Sequence, residues 1–289
     1  MPATLLYPSY FGEKGKVDEF YEDEFNAASS LPEFRTAFYD HDRLVDEPSF
    51  VPKFHPSIEP GLCVGRMWMM KPEEYKRFAD SVEAVGGKLI NSFDEYCFTH
   101  MFPNVYPLLE GYTPRILVFK DGEPVSAPEA NERFKRFIIK DFVKSVKGHD
   151  FPAFVDTPIS QAELDRLIER FIDLRQPLFT GGIVFKEFVN LKRYEGKTNE
   201  CRAFYMYGKV LSVSKNSGQP ESAPLVPMDL AKRFANIPSN YYTIDFGELD
   251  DGTFTILETG DGQVSGLPSS LSVPEYYGNM KKILKSKSL

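Results

Sequence analysis

Residues 241–267 read YYTIDFGELDDGTFTILETGDGQVSGL. Two strand-like runs lead to carboxylates at Asp245 and Glu258, and the polar turn ELDDG separates them. An acidic, glycine-rich segment, ETGDG, closes the second run. Folded as a hairpin, the stretch brings both carboxylates to one edge of a sheet, close enough to share a divalent cation. Mg²⁺ prefers oxygen ligands and commonly bridges one or two carboxylates to nucleotide phosphates. The pattern therefore points to an ATP-using enzyme; its plain alternative is an exposed hairpin with acidic turns.

Composition narrows the surroundings of this hairpin. A chain of 289 residues suits two or three lobes, and 42% hydrophobic with 14% aromatic residues suffices for a packed core. The formal charge of −8 argues against a nucleic-acid binder held by a general positive field. Cys63, Cys97 and Cys201 are widely spaced and form no CxxC pair, which argues against a disulfide framework or zinc site and for a reducing compartment. His41, His55, His100 and His149 show no metal-ligand spacing. The first residues, MPATLLYPSYFGEKG, lack the basic and apolar regions of a secretory signal, and no run approaches the ~20 apolar residues of a membrane helix. The expectation is a soluble, cytoplasmic protein whose closing KKILKSKSL is a solvated helix end.

Along the chain, ATLLYPSYF reads as a strand, VDEFYEDEFNAASS as an acidic helix, and FRTAFYDHDRL as a strand and turn. LCVGRMWMM reads as a buried strand carrying Arg66. KPEEYKRFADSVEAVGG reads as a helix with Pro72 in its first turn and a core stripe of Tyr75, Phe78, Val82 and Val85. KLINS and PRILVF are short strands around a helix at YPLLEGY, so residues 1–120 alternate strand and helix as in an open α/β lobe. Beyond them, RFIIKDFVKSVKG is a strand with a basic turn. ISQAELDRLIERFIDLR is a helix opened by a Ser160–Glu163 capping box. GGIVFKEFVNL, ECRAFYMYGKVLSVS and the acidic hairpin are β-rich, with a helical MDLAKRFANI between the last two. No internal repeat is present.

Four features carry candidate chemistry. Lys140, with Lys144 and Ser145 beyond it, ends a hydrophobic strand and can reach a phosphate as a point charge, or is an ordinary solvated lysine. Lys186-Glu187-Phe188-Val189 leaves the core through Glu-Phe-Val and can offer backbone groups and a carboxylate to an adenine edge, or forms a plain edge strand. Glu200 and Arg202 share one face of a strand and can hold metal and a transferring phosphate, or make a surface ion pair. Asp245 and Glu258, with Asp261 beyond, form the acidic hairpin.

In this order, IIKDFVKS, FKEFV, NECRAFYMYGKV and TIDFG…TILETGDGQVSGL resemble an ATP-grasp domain over residues 115–267. VGRMWM, KLINSFDEY and YPLL resemble a bacterial and phage ATP-grasp clade predicted to ligate peptides. The resemblance implies an α+β fold in which two α+β subdomains clamp Mg-ATP, here residues 115–289, preceded by an α/β pre-ATP-grasp lobe, residues 1–114. It implies an ATP-dependent carboxylate–amine ligase that works through an acylphosphate on a small-molecule or peptide substrate. Carried over by position, Lys140 binds phosphate with Lys144 a second contact, and Glu187 meets adenine or ribose beside the Phe188 and Val189 backbone. Glu200 and Arg202 line the phosphate region, while Asp245 and Glu258 hold Mg²⁺. Arg66 projects toward a substrate carboxylate. Many members carry asparagine two residues after the metal glutamate; here Gly260 stands there, so Asp261 or a water completes the Mg²⁺ shell. Gly262 and Gly266 are expected to admit substrate close to the backbone. A phosphotransferase on the same fold and a non-catalytic nucleotide-binding protein are the competing readings; nucleic-acid binding on aromatic strands is more remote in so acidic a chain.

Overall fold

The computed structural model describes residues 2–13, 15–146, 148 and 151–287. His149, part of the basic turn at Lys147 and the last two residues of the closing basic segment lie outside them.

The first lobe is an open, wholly parallel sheet. Its strands are β1 (Ala3–Pro8), β2 (Phe34–Tyr39), β3 (Gly61–Gly65) and β4 (Gly87–Leu89), in the spatial order β2-β1-β3-β4. Parallel strands need covering on both faces, and alternate residues of β1 supply this. Leu5 and Tyr7 meet a core shared with α1 (Glu22–Ser29), while Leu6 meets one shared with α2 (His41–Asp46) and α3 (Pro72–Ala84). Pro72 opens α3, and the Glu74 carboxylate accepts from the Lys71 amide (2.7 Å). Its stripe buries Tyr75, Phe78 and Val82, each worth about 1.5–3 kcal/mol of burial. Val85, expected in the same stripe, is exposed because the helix ends at Ala84 and the chain turns away. The strand at LCVGRMWMM stops at Gly65, so Arg66 leaves the sheet and points inward.

Two helices connect to the second sheet: α4 (Phe93–His100) and α5 (Phe102–Leu109). α4 starts in a full capping box, Ser92 with Glu95. The second sheet is antiparallel, with β5 (Ile116–Lys120), β6 (Arg136–Lys140), β7 (Val155–Asp156) and β8 (Gly182–Glu187) in the order β5-β8-β6-β7. Helices α6 (Ala127–Arg133) and α7 (Gln161–Arg175) cover one face through Leu164, Ile168 and Phe171. At the start of α7 the Ser160 hydroxyl accepts from the Glu163 amide (3.3 Å).

The third sheet follows a short hairpin of β9 (Arg193–Tyr194) and β10 (Lys197–Thr198). It contains β11 (Glu200–Met206), β12 (Lys209–Lys215), β13 (Tyr241–Glu248) and β14 (Phe254–Asp261), in the order β12-β11-β13-β14, all antiparallel. One face carries Ala203, Tyr205, Tyr242 and Ile244 into a core with α5 and α8 (Met228–Arg233). The opposite face divides along its length. Phe204, Met206 and Tyr241 pack against α1 and the closing helix α9 (Val273–Lys287), whereas Arg202, Asp245 and Glu258 face the second sheet. The first lobe and the last helix thus share one core with the sheet that bears the acidic hairpin.

Candidate functional site

The expected hairpin forms, and its register sets the site. Arg202 stands opposite Asp245, and Asp245 opposite Glu258, so three charged side chains from β11, β13 and β14 lie in one row. Just past that row the β13–β14 ladder slips: Asp245 pairs with Glu258, but Phe246 pairs with Ile256. Leu257 is left over as the bulged residue, and its carbonyl turns out of the ladder. The Lys186 ammonium, from β8 of the second sheet, donates to that carbonyl. Lys140, from β6, donates to Glu258. Both lysines therefore cross between the sheets, and the space enclosed is a cleft of about 730 Å³.

Its charged wall contains Lys140, Lys144, Lys186, Arg202, Asp245 and Glu258; Glu200 and Thr198 extend it. Ile138, Val189, Leu191 and Leu257 give an apolar wall. Arg202 grips Asp245 with two bonds (2.7 and 2.8 Å) and donates a third to the Gly266 carbonyl (2.9 Å). Burial works against the Arg202 charge, but Asp245 outweighs it and holds the guanidinium above its usual value. Burial also works against ionised Glu258, yet Lys140, Lys186 and Lys144 keep its carboxyl below the usual range. For Lys186 the attraction of Glu258 and Asp245 falls short of the cost of burial. The lysine is buried, with its ammonium 4.0 Å from the centre of the Phe102 ring, and desolvation brings it down to about 7. It is a cleft cation that the sequence reading names beside Glu187 without giving it a role. GIVFKE is apolar on both faces through Phe185, so its sequence does not show which way the lysine points.

Glu187, Phe188, Val189, Glu200 and Lys144 also line the cleft. The Glu187 carboxylate takes two bonds from Arg115 (3.0 and 2.8 Å), which depress its pKa. The amides of Glu187 and Phe188 donate to Arg115 and Arg136 carbonyls (2.8 and 3.0 Å), and the Phe188 ring packs on Phe154 (5.0 Å between centres). Glu200 accepts from the Thr198 hydroxyl (2.7 Å). Lys144 is exposed at the mouth, its amide donating to the Asp141 carboxylate (2.6 Å).

Arg66 does not reach the cleft. It is fully buried and binds both oxygens of Glu24 (2.7 and 2.9 Å) and the carbonyls of Gly262 (2.6 Å) and Ser265 (2.9 Å). Its charge is spent inside the protein, on the loop that follows β14. Asp261 is likewise buried on the far side of the strand from Glu258's row. It accepts from Asn91 and from the Gln263 amide (2.9 Å), and burial raises it to about 7. Neither residue meets Asp245 or Glu258. Gly260 has a steric explanation: a Cβ there would lie 2.9 Å from the Ser265 hydroxyl and 3.1 Å from that of Thr243, which bond to each other (2.9 Å). At Gly262 a Cβ would press on the buried Tyr241 ring at 2.6 Å, so this glycine serves packing rather than substrate approach.

Among the described residues, no three His, Cys, Asp or Glu side chains cluster as a ready metal site. The two-carboxylate set of Asp245 and Glu258 still fits Mg²⁺, which retains waters and takes one or two carboxylates alongside phosphates.

With this geometry in view, the family relationship follows. A family model described as an ATP-grasp domain, the third family of its clade, matches residues 129–280, more than half of the chain. The chain belongs to the ATP-grasp superfamily. Among solved structures, this ATP-grasp chain resembles D-alanine–D-alanine ligase from Bacillus anthracis complexed with ATP, at 14% identity and a TM-score of 0.61, over 99% of this chain and 96% of that one. It also resembles a RimK domain ATP-grasp protein from Sphaerobacter thermophilus (12%, TM-score 0.61, 98% and 99% covered). A third is D-cycloserine synthetase DcsG (12%, TM-score 0.59, 98% and 100% covered). At these identities the likeness is one of fold. No curated protein matches the sequence. No helix among the described residues is long and apolar enough to cross a membrane.

Proposed function

We propose that this ATP-grasp protein is an ATP-dependent ligase that joins a carboxylate to an amine. The observation that carries the reading is the cross-sheet register: Asp245 opposite Glu258 on one wall, with Lys140 reaching Glu258 and Lys186 reaching the Leu257 carbonyl from the other. That arrangement suits a nucleotide whose base lies along Ile138, Val189 and Leu257 and whose phosphates meet the lysines. Glu187, tied to Arg115, would contribute its carbonyl and the adjoining backbone rather than its carboxylate. Asp245 and Glu258 would hold Mg²⁺, which when bound neutralises charge between the phosphates. Lys140 and Arg202 would stabilise the phosphoryl group during transfer, with Lys144 and Glu200 at the mouth. The substrate carboxylate takes the γ-phosphoryl group and ADP leaves; the amine then displaces phosphate from the acylphosphate, giving an amide. Closure of the two sheets would keep water from that acylphosphate.

The cited neighbours named as D-alanine–D-alanine ligase and D-cycloserine synthetase support a small amino-acid-like or peptide substrate by analogy of fold. Three free cysteines agree with a reducing, cytoplasmic setting. In this reading residues 1–114 form the pre-ATP-grasp lobe and residues 115–289 the ATP-grasp domain. The test is thermal denaturation with Mg-ATP on the wild type and on Glu258→Gln. Nucleotide at about 100 times its Kd adds about 2.7 kcal/mol. A metal-dependent rise that shrinks in the variant supports the cleft; no rise with any nucleotide overturns the reading.

A further inference from the structure

An exposed aromatic pair stands beside the cleft with no role in the scheme above. Phe20 and Trp68 leave 56% and 38% of their surfaces open, although both are large apolar groups. Their ring centres are 4.7 Å apart, and Tyr21 backs Trp68 at 5.4 Å. The Asp18 carboxylate holds both: it accepts from the Trp68 indole nitrogen (3.1 Å) and from the Phe20 amide (2.9 Å). The pair is thus fixed in an open position, not left there by loose packing.

Its place in the fold singles it out. The segment with Asp18 and Phe20 follows the carboxyl end of β1, and Trp68 follows that of β3. From β1 the strand order runs to β2 on one side and β3 on the other. In open parallel sheets the crevice at such a point, beyond the carboxyl ends, is where ligands bind. The Phe20 ring also reaches to 3.5 Å from where a Cβ on Gly266 would stand, and the Gly266 carbonyl accepts from Arg202. The aromatic pair is therefore continuous with the phosphate wall of the cleft.

The charge around it is negative. Asp40 and Asp42 follow the carboxyl end of β2, and partial burial together with Asp40, Asp46 and Asp18 raises the Asp42 carboxyl. None of Asp18, Asp40, Asp42 and Asp46 takes part in an ion pair among the described residues. Exposed aromatic rings beside carboxylates that neutralise no cation favour a cation with its own planar group, through cation–π and ring contacts. We infer that Phe20, Trp68 and Asp18 form the acceptor subsite, and that it takes a small arylalkylamine, binding it as the ammonium ion. This rests on the ligase reading for the amine's fate, but not for its binding.

Trp68 is the chain's only tryptophan, so its emission reports on the subsite directly. The probe is 2-phenylethylamine, titrated into the full chain with and without Mg-ATP. Controls are 3-phenylpropanoate, which keeps the ring and reverses the charge, and n-butylamine, which keeps the charge and lacks the ring. The expected result is a saturable change with 2-phenylethylamine alone, lost in Phe20→Ala and about fivefold or more weaker in Asp18→Asn. Both variants should keep the wild-type melting shift with Mg-ATP. No saturable change below about 50 mM overturns the inference, as does an equal response to either control, since weak fragments bind in the millimolar range. A wild type that binds the amine but shows no Mg-ATP shift would sink the cleft reading and leave this one standing. The converse result separates them the other way.

Discussion

Replacing Arg66 by methionine tests whether this residue serves the substrate or the fold. The guanidinium makes four good bonds, two to Glu24 and one each to the Gly262 and Ser265 carbonyls, at 2.6–2.9 Å. The Arg66 and Glu24 side chains are 0% and 6% exposed. Without Arg66, the Glu24 carboxylate keeps, among the described residues, only the Tyr277 hydroxyl (2.7 Å) as a close donor. A buried charge stripped of its partner costs about 3–5 kcal/mol. For a chain of this size a loss of that order lowers Tm by roughly 6–20 °C. Differential scanning calorimetry on the apoprotein measures it. Removing the orphaned charge as well, in Arg66→Met with Glu24→Gln, should recover much of the loss, because paired apolar replacement of a buried ion pair is often neutral. A residue facing the substrate would behave in the opposite way. If Arg66→Met melts within about 2 °C of wild type and yet stops ATP turnover, the structural assignment is wrong.

Three further outcomes follow from the same geometry. Gly260→Asn should destabilise by about 1–3 kcal/mol without tightening Mg²⁺, since its side chain would displace the Thr243–Ser265 hydroxyl pair; calorimetry and a Mg²⁺ titration of nucleotide binding read the two halves. Lys186 falls to about 7 through burial, so the unfolded chain holds more protons between pH 7 and the ordinary lysine value. Lys186 therefore makes stability rise with pH across that window, while Mg-ATP affinity should weaken by up to about tenfold per pH unit above 7. Lys186→Met should flatten both profiles, which urea melts and nucleotide titrations at several pH values would reveal. Asp261 is raised to about 7 by burial, so the folded state holds the extra proton and stability should fall as pH rises from about 4 to 7. Asp261→Asn should remove that slope and leave the Mg²⁺ dependence of ATP binding unchanged; a shifted Mg²⁺ dependence would return Asp261 to the metal shell.

The hairpin was legible because alternation, turn and carboxylate spacing all act within about 20 residues. Asp245 and Glu258 face each other as that local pattern implies. α4 could have been read as well, since Ser92 and Glu95 sit three apart as a capping box. What sequence could not supply were directions set by distant partners. Arg66 looks like a lone charge escaping an apolar strand, and nothing near it in sequence announces Glu24 or the Ser265 carbonyl, 42 and 199 residues away. Asp261 reads as a continuation of an acidic run, but residues 258 and 261 fall on opposite faces of a strand. Asn91, which grips the Tyr241 backbone from both sides (2.6 and 2.9 Å), completes that burial from another lobe. Lys186 was hidden for a related reason: its partner carbonyl exists only because the ladder slips at Leu257.

The cleft's charges are satisfied by one another, and this bears on how a nucleotide enters. Lys140 is spent on Glu258 and Arg202 on Asp245, pairs that cross or line the same opening. Mg-ATP offers each side a replacement: phosphate oxygens for the cations and a divalent ion for the carboxylates. The exchange leaves no buried charge without a partner, so entry avoids the several kcal/mol that stripping one ion would cost. Nucleotide without metal, or metal without nucleotide, replaces only one half. ATP alone would orphan Glu258, and Mg²⁺ alone would orphan Lys140, whose side chain is only 3% exposed. The two should therefore bind with positive coupling, each tightening the other by the same factor. Titrating ATP at several Mg²⁺ concentrations measures that factor, and a nucleotide affinity indifferent to Mg²⁺ would refute the exchange.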